Sequence, residues 1–159
     1  MTTRRKLKKR MGWHLLPEDG KLRDGRIPHI NKWLSFKIRG IKFIAADTVK
    51  KIWRKPYDYE KPILCEEGMH AGYTIANALL YGHTYGHFIT RKSQKLCRVI
   101  VDKIHSSGYD YSKFVGVRRK VLWSIILSGD DIGVLMTMSD SNALKYVNKL
   151  RKKQAKDKK

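Results

Sequence analysis

Cysteine is nearly absent from this chain: Cys65 and Cys97 are the two it has. Two thiols do not make a disulfide framework at this length, so reduced thiols and an intracellular setting are expected. Long apolar runs are also missing. None approaches the roughly 20 residues that span a bilayer, and the charged start lacks the apolar stretch of a secretory signal. These absences predict a soluble, cytoplasmic protein with no membrane contact. No internal repeat or low-complexity linker divides the chain.

The scarcest class relative to its counterpart is acidic: 14 Asp and Glu stand against 35 Lys and Arg, a formal net charge of +21. The basic residues are concentrated at the ends. Residues 1–10 carry six and no acid, and the last eleven carry seven with one Asp. What remains, 11–148, still holds 22 basic and 13 acidic residues, a net of +9. Such a surface raises encounter rates with polyanions, and each neutralised phosphate releases a counterion. Apolar content of 42% supports a globular core. The expected layout is a basic N-terminal arm over 1–11, one domain over 12–148 and a basic tail over 149–159.

Local patterns predict an α+β fold: a small mixed or antiparallel sheet with two to three helices. Gly12 to Leu16 is a short apolar run that stops at Pro17, and the two Asp-Gly pairs of 18–26 signal turns. Alternating apolar and basic residues over 33–46 suggest a strand pair broken at Gly40. Asp47 can cap a helical turn that Pro56 closes. Residues 62–65 read as a strand with its exit turn at 66–68, and residues 83–95 as a loop. A helix is expected from Thr74 to Gly82 and a strand over 96–101. Residues 113–127 read as a helix with Val117, Val121, Leu122, Ile125 and Ile126 buried. A last helix runs from Ser141 to about Lys153.

Cys65 and His70 have the residue types of a nucleophile and its base, or of two metal ligands. Cys65 follows Ile63 and Leu64, where a thiol is usually an inert small hydrophobe. A structural zinc site needs four ligands, and nothing in the spacing of Cys97, His14, His83 or His87 demands their convergence. No metal or other cofactor is therefore expected. His70 either packs at a helix entrance or lines a pocket.

For nucleic-acid contact, the candidates are Arg4, Arg5, Lys8, Lys9 and Arg10 in the arm, then Lys51, Trp53, Arg54, Arg91, Lys92, Arg118, Arg119, Lys152 and Lys153. Aromatic side chains interleaved with cations suit base stacking plus phosphate contact. Trp53 and Tyr57 are the exposed aromatic candidates, whereas Trp13 and Trp33 are expected in the core. On a helix, consecutive Arg118, Arg119 and Lys120 cannot share one face, so at least one points to solvent or phosphate.

Several segments, taken in order, carry a resemblance: Trp13 to Leu16 with Asp19 to Arg23, Leu64-Cys65-Glu66-Glu67-Gly68-Met69-His70-Ala71, Ala78 to Tyr81, Leu96 to Val99, and Ser112 to Trp123. Together they resemble an uncharacterised domain family of bacteriophages and bacteria with a Cys-x-x-Gly-x-His-Ala signature, over roughly residues 12–127. The resemblance implies a phage or prophage setting but supplies no chemistry. Residues 84–94 form a longer, more basic insertion than that family's pattern has, and Ser112 stands where an Asp commonly precedes the Lys. The chain is also similar to ADP-ribosyltransferases. In that likeness His14, His70 and Tyr81 line a nicotinamide pocket and NAD is the cofactor, but residues 102–131 offer no convincing catalytic Glu. Three functions are thus expected in order: binding of nucleic acid or a nucleoprotein complex, NAD-dependent ADP-ribosyl transfer, and inhibition of a host defence or host enzyme.

Overall fold

Five strands and three helices account for the described part of the chain. The computed structural model describes residues 9–22, 25–35, 69–82, 93–106 and 112–158. The strands are β1 (Arg10–Pro17), β2 (Trp33–Ser35), β3 (Met69–Gly72), β4 (Gln94–Ser106) and β5 (Lys113–Leu127). The helices are α1 (Ile75–Gly82), α2 (Gly129–Met136) and α3 (Asp140–Lys156). The fold is α+β, and every pairing between the five strands is antiparallel.

The sheet closes on itself. Its order is β2-β5-β3-β1-β4, and β4 pairs back onto β5. One edge of β5 runs along β4, while the other is shared by β3 at Lys113–Gly116 and β2 at Trp33–Ser35. Closure is tight enough to demand a missing side chain. A Cβ on Gly12 would sit 2.7 Å from Phe114 Cζ and 2.8 Å from the Gly72 carbonyl oxygen. The turn after β1 uses glycine differently: Gly20 has φ of +71°, the left-handed region that other residues rarely enter.

Strand alternation sorts the apolar residues into two cores, one on each face. The inner cluster, within the ring, is Leu16, Ala71, Cys97, Val99, Val101, Phe114 and Val121. The outer cluster lies under the helices and includes Trp13, Leu79, Leu96, Ile125, Leu127, Leu135 and Val147. Helix starts follow their caps. Thr74 Oγ1 accepts from Asn77 N–H at α1. Ser128 and Asp131 form a capping box at α2, and Ser139 accepts from Asn142 N–H at α3.

The helix expected over 113–127 is instead strand β5. Its apolar spacing mimics a helical stripe because the strand carries a bulge. Arg98 pairs with Trp123 but Val99 pairs with Val121, leaving Leu122 as an extra residue. Val121 therefore joins the inner core and Ile125 the outer one, while Ile126 is exposed. His70 lies within β3 rather than at a helix entrance, and α2 was not expected at all. Arg10 and Met11, assigned to the arm, begin β1, and residues 149–156 of the tail are the last turns of α3. Of the loop expected over 83–95, Gln94 and Lys95 belong to β4, which extends beyond the strand expected over 96–101 at both ends; the rest of that loop up to 92 and the features expected over 36–68 fall outside the described residues.

Candidate nucleic-acid interface

Register pairs place cross-strand neighbours on the same face of a sheet, so the outer face reads as rows. The first row, Leu15, Leu96 and Ile125, is in contact with the helical core. The second is Trp13, Arg98 and Trp123. The third is Met11, Ile100, Lys120 and Trp33, and the fourth brings Asp102, Arg118 and Ser35 together. Burial is uneven along this series: Trp13 and Asp102 are buried, whereas Met11 is 48% exposed. Among the described residues the lower half of the face sets Lys9, Arg118 and Lys120 about the half-buried Trp33 ring and is covered by no described helix.

Trp33 is its centre. The Arg118 guanidinium lies 4.8 Å from the ring centroid, Lys120 Nζ 5.2 Å and Lys9 Nζ 5.6 Å. In the row above, Arg98 stacks on Trp13 at 4.5 Å, Trp13 meets Trp123 edge-on at 5.6 Å, and Arg151 of α3 covers Trp123 at 4.3 Å. These cation–ring contacts, each worth about 0.5–1 kcal/mol at exposed sites, order long side chains that would otherwise sample many rotamers.

One acid organises the lower row. Asp102 is 5% exposed, ion-paired with Arg118 and bonded to Lys103 N–H at 2.9 Å. Burial alone would raise its carboxyl. The Arg118 and Lys103 hydrogen bonds, with the charges of Arg118 and Lys9, outweigh it and hold the group below the usual carboxylate range. Arg118 is thereby held between Asp102 and Trp33, and its Nε is buried without a hydrogen-bond partner among the described residues.

The inner face holds a different polar group. His14 pairs across from Cys97, and its imidazole titrates well below the ordinary value. Desolvation by the surrounding protein is the main cause, followed by the charges of Arg119 and His70. His70 is buried, and its carbonyl accepts from Arg119 Nη1 at 2.7 Å. Burial pushes the Cys97 thiol up to about 11. Charge interaction links His14 with Arg119 and His70, but alternation along β3 puts Ala71, and not the His70 side chain, in the inner cluster. Tyr81 lies in α1 with its side chain outside the described residues. No group of three or more His, Cys, Asp or Glu suited to a metal occurs among the described residues.

Comparison with protein-family models, curated proteins and solved structures finds no match.

Of the cations singled out for nucleic acid, Lys9 and Arg118 are on the open face. Arg119 is a correction. At 3% exposure it points into the ring, because alternation in a strand sends it to the side opposite Arg118 and Lys120. Arg10 lies over Tyr73 and Phe114 at 5.2 and 5.8 Å and bonds the Tyr73 hydroxyl at 2.9 Å, away from Trp33. Lys152 and Lys153 are exposed on α3. Arg4, Arg5, Lys8, Lys51, Trp53, Arg54, Arg91 and Lys92 lie outside the described residues, as does Cys65. Sequence reasoning placed Trp33 in the core, took Lys120 only as one of three consecutive cations, and did not single out Arg98 or Arg151. The alternation of 33–46 was the available signal, since it already set Trp33 among strand residues bearing lysines. No helix among the described residues is long and apolar enough to cross a membrane.

Proposed function

We propose that the protein binds nucleic acid through the open outer face of the sheet, with phosphates on Lys9, Arg118, Lys120 and Arg98 and a base against Trp33. The observation that carries this reading is the half-buried Trp33 ring surrounded by three cations on a sheet face that no described element covers. A ring offers a sequence-tolerant stacking surface, and the flanking cations track a backbone. Among the described residues the face carries cations and a ring and no Asn, Gln or Glu, so affinity is expected to be dominated by phosphate and weakly sequence-dependent. The basic residues of 1–8 add to the same electrostatic attraction.

The test is a titration of labelled single-stranded and duplex oligonucleotides at several salt concentrations. Binding that weakens steeply with salt supports the reading, with a loss on Trp33→Ala that is larger for single strands than for duplex. Affinity indifferent to salt, or unchanged in Trp33→Ala and in Lys120→Ala, sinks it.

A further inference from the structure

We propose that α3 carries a second nucleic-acid surface, so that one molecule holds two nucleic-acid segments at once; this rests on the reading of the sheet face just given. At about 100° per residue, Lys145, Lys149, Lys152, Lys153 and Lys156 fall within an arc of roughly 100° on the helix. All five are exposed. The seam that packs the helix down, Ala143, Val147 and Gln154, lies on the other side. Arg151, which reaches Trp123 and the open sheet face, sits roughly 150° around the helix from the middle of the lysine stripe. The two basic surfaces therefore leave the helix on opposite flanks.

The stripe has an apolar margin as well as charge. Tyr146 and Leu150 are half-buried beside Lys149, Lys152, Lys153 and Lys156. From Lys145 to Lys156 the helix rises about 16 Å, roughly five nucleotides of stacked strand. No acidic side chain interrupts α3 between those positions. Asp131, near Lys153, is already taken by the Ser128 hydroxyl and N–H and by the Tyr146 hydroxyl. Helix electrostatics account for only part of the pattern. Lys153 and Lys156 sit in the last turn, where the dipole favours cations. Lys145, Lys149 and Lys152 lie earlier, and the 145–149 and 149–153 pairs repel at i,i+4 spacing.

A polyanion laid along the stripe relieves that repulsion. Nucleic acid fits better than an anionic membrane, because the apolar seam of α3 is already packed against β5 and leaves little to insert into a bilayer.

The experiment mixes two short duplexes, one carrying a donor dye and one an acceptor, with the full chain at low salt. Wild-type protein is expected to produce energy transfer. Lys149→Glu/Lys152→Glu/Lys156→Glu should bind a single duplex yet lose the transfer, and so should Lys9→Glu/Lys120→Glu. Mixing the two variants should not restore it, since each molecule then has one surface. Circular dichroism checks folding, and Lys→Gln replacements serve where Glu unfolds the chain. Single-duplex binding by wild-type protein without transfer overturns this proposal and leaves the sheet-face reading standing. Absence of any binding removes both. Restoration on mixing assigns the transfer to a dimer, and capture of phosphatidylserine vesicles in place of a second duplex assigns the stripe to a membrane surface. Either result overturns the proposal.

Discussion

At the residue scale, the inner face of the ring dictates chemistry opposite to that suggested by its residue types. Cys97 is 1% exposed, and its thiol is pushed up to about 11. At pH 8 it is protonated and shielded. In a Cys65→Ser background, Cys97 should react with a maleimide only as fast as the protein unfolds, and addition of urea should release it. Prompt labelling of the native protein contradicts this placement.

His14 has a folded value below its unfolded one, because burial and the neighbouring positive charges disfavour the imidazolium. The unfolded chain therefore takes up the proton first. Stability should be insensitive to this group above about pH 6.5 and decline as pH falls below it, by at most about 1.4 kcal/mol per pH unit for one proton. His14→Gln should flatten that limb of a stability–pH curve from urea unfolding. The Asp102 and Asp131 carboxyls, both held below the ordinary range, contribute stability that is lost only in more acidic solution. A decline that starts below about pH 4 and is unchanged in His14→Gln assigns acid lability to the carboxylates alone.

At the element scale, β5 has unlike partners along one edge. Beyond β3 and β2, Asn31 N–H bonds the Val121 carbonyl at 2.7 Å. At Ile126 the Gln154 side chain acts as a strand: Oε1 accepts from Ile126 N–H at 3.1 Å, and Nε2 donates to its carbonyl at 2.7 Å. Unpaired edges invite association with other chains. Gln154→Ala should cost about 1 kcal/mol in urea denaturation and raise light scattering at high protein concentration. A variant equal to wild type in both removes the edge role.

Gly12→Ala is the complementary test of ring closure. The added Cβ meets backbone as well as Phe114, so a loss of about 1–3 kcal/mol is expected. The elements were legible in the sequence where one physical signal dominated. β4 has a run of apolar and β-branched residues, α1 has Thr74 and a closing Gly82, and α3 has an amphipathic pattern. β5 was illegible because its bulge merged inner and outer strand residues into an apparent helical stripe. α2 was missed for another reason. Gly129 and Gly133 depress helix propensity, although the Ser128-x-x-Asp131 capping box marked its start.

At the scale of the whole molecule, the excess of basic residues predicted polyanion binding without saying where. The two terminal segments absorbed much of that expectation. The open sheet face was hidden because it is assembled from β1, β2, β4 and β5, and Lys120 and Trp33 become neighbours only through register. Read as a helix, residues 118–120 scatter around an axis. Read as a strand, Arg118 and Lys120 align beside Trp33 and Arg119 turns inward. Asp102 positions Arg118, so Asp102→Asn should weaken oligonucleotide binding despite making the protein more basic. Tighter binding in that variant would mean that Asp102 acts only as a repulsive charge.

The salt dependence of oligonucleotide binding, compared between wild-type protein and Lys9→Ala/Arg118→Ala/Lys120→Ala, tests the central claim most directly. If three phosphates are held on this face, the slope of log affinity against log salt should become shallower by about 2–3 in the variant, with native circular dichroism retained. An unchanged slope in a folded variant would place the phosphate contacts elsewhere and contradict the sheet-face account.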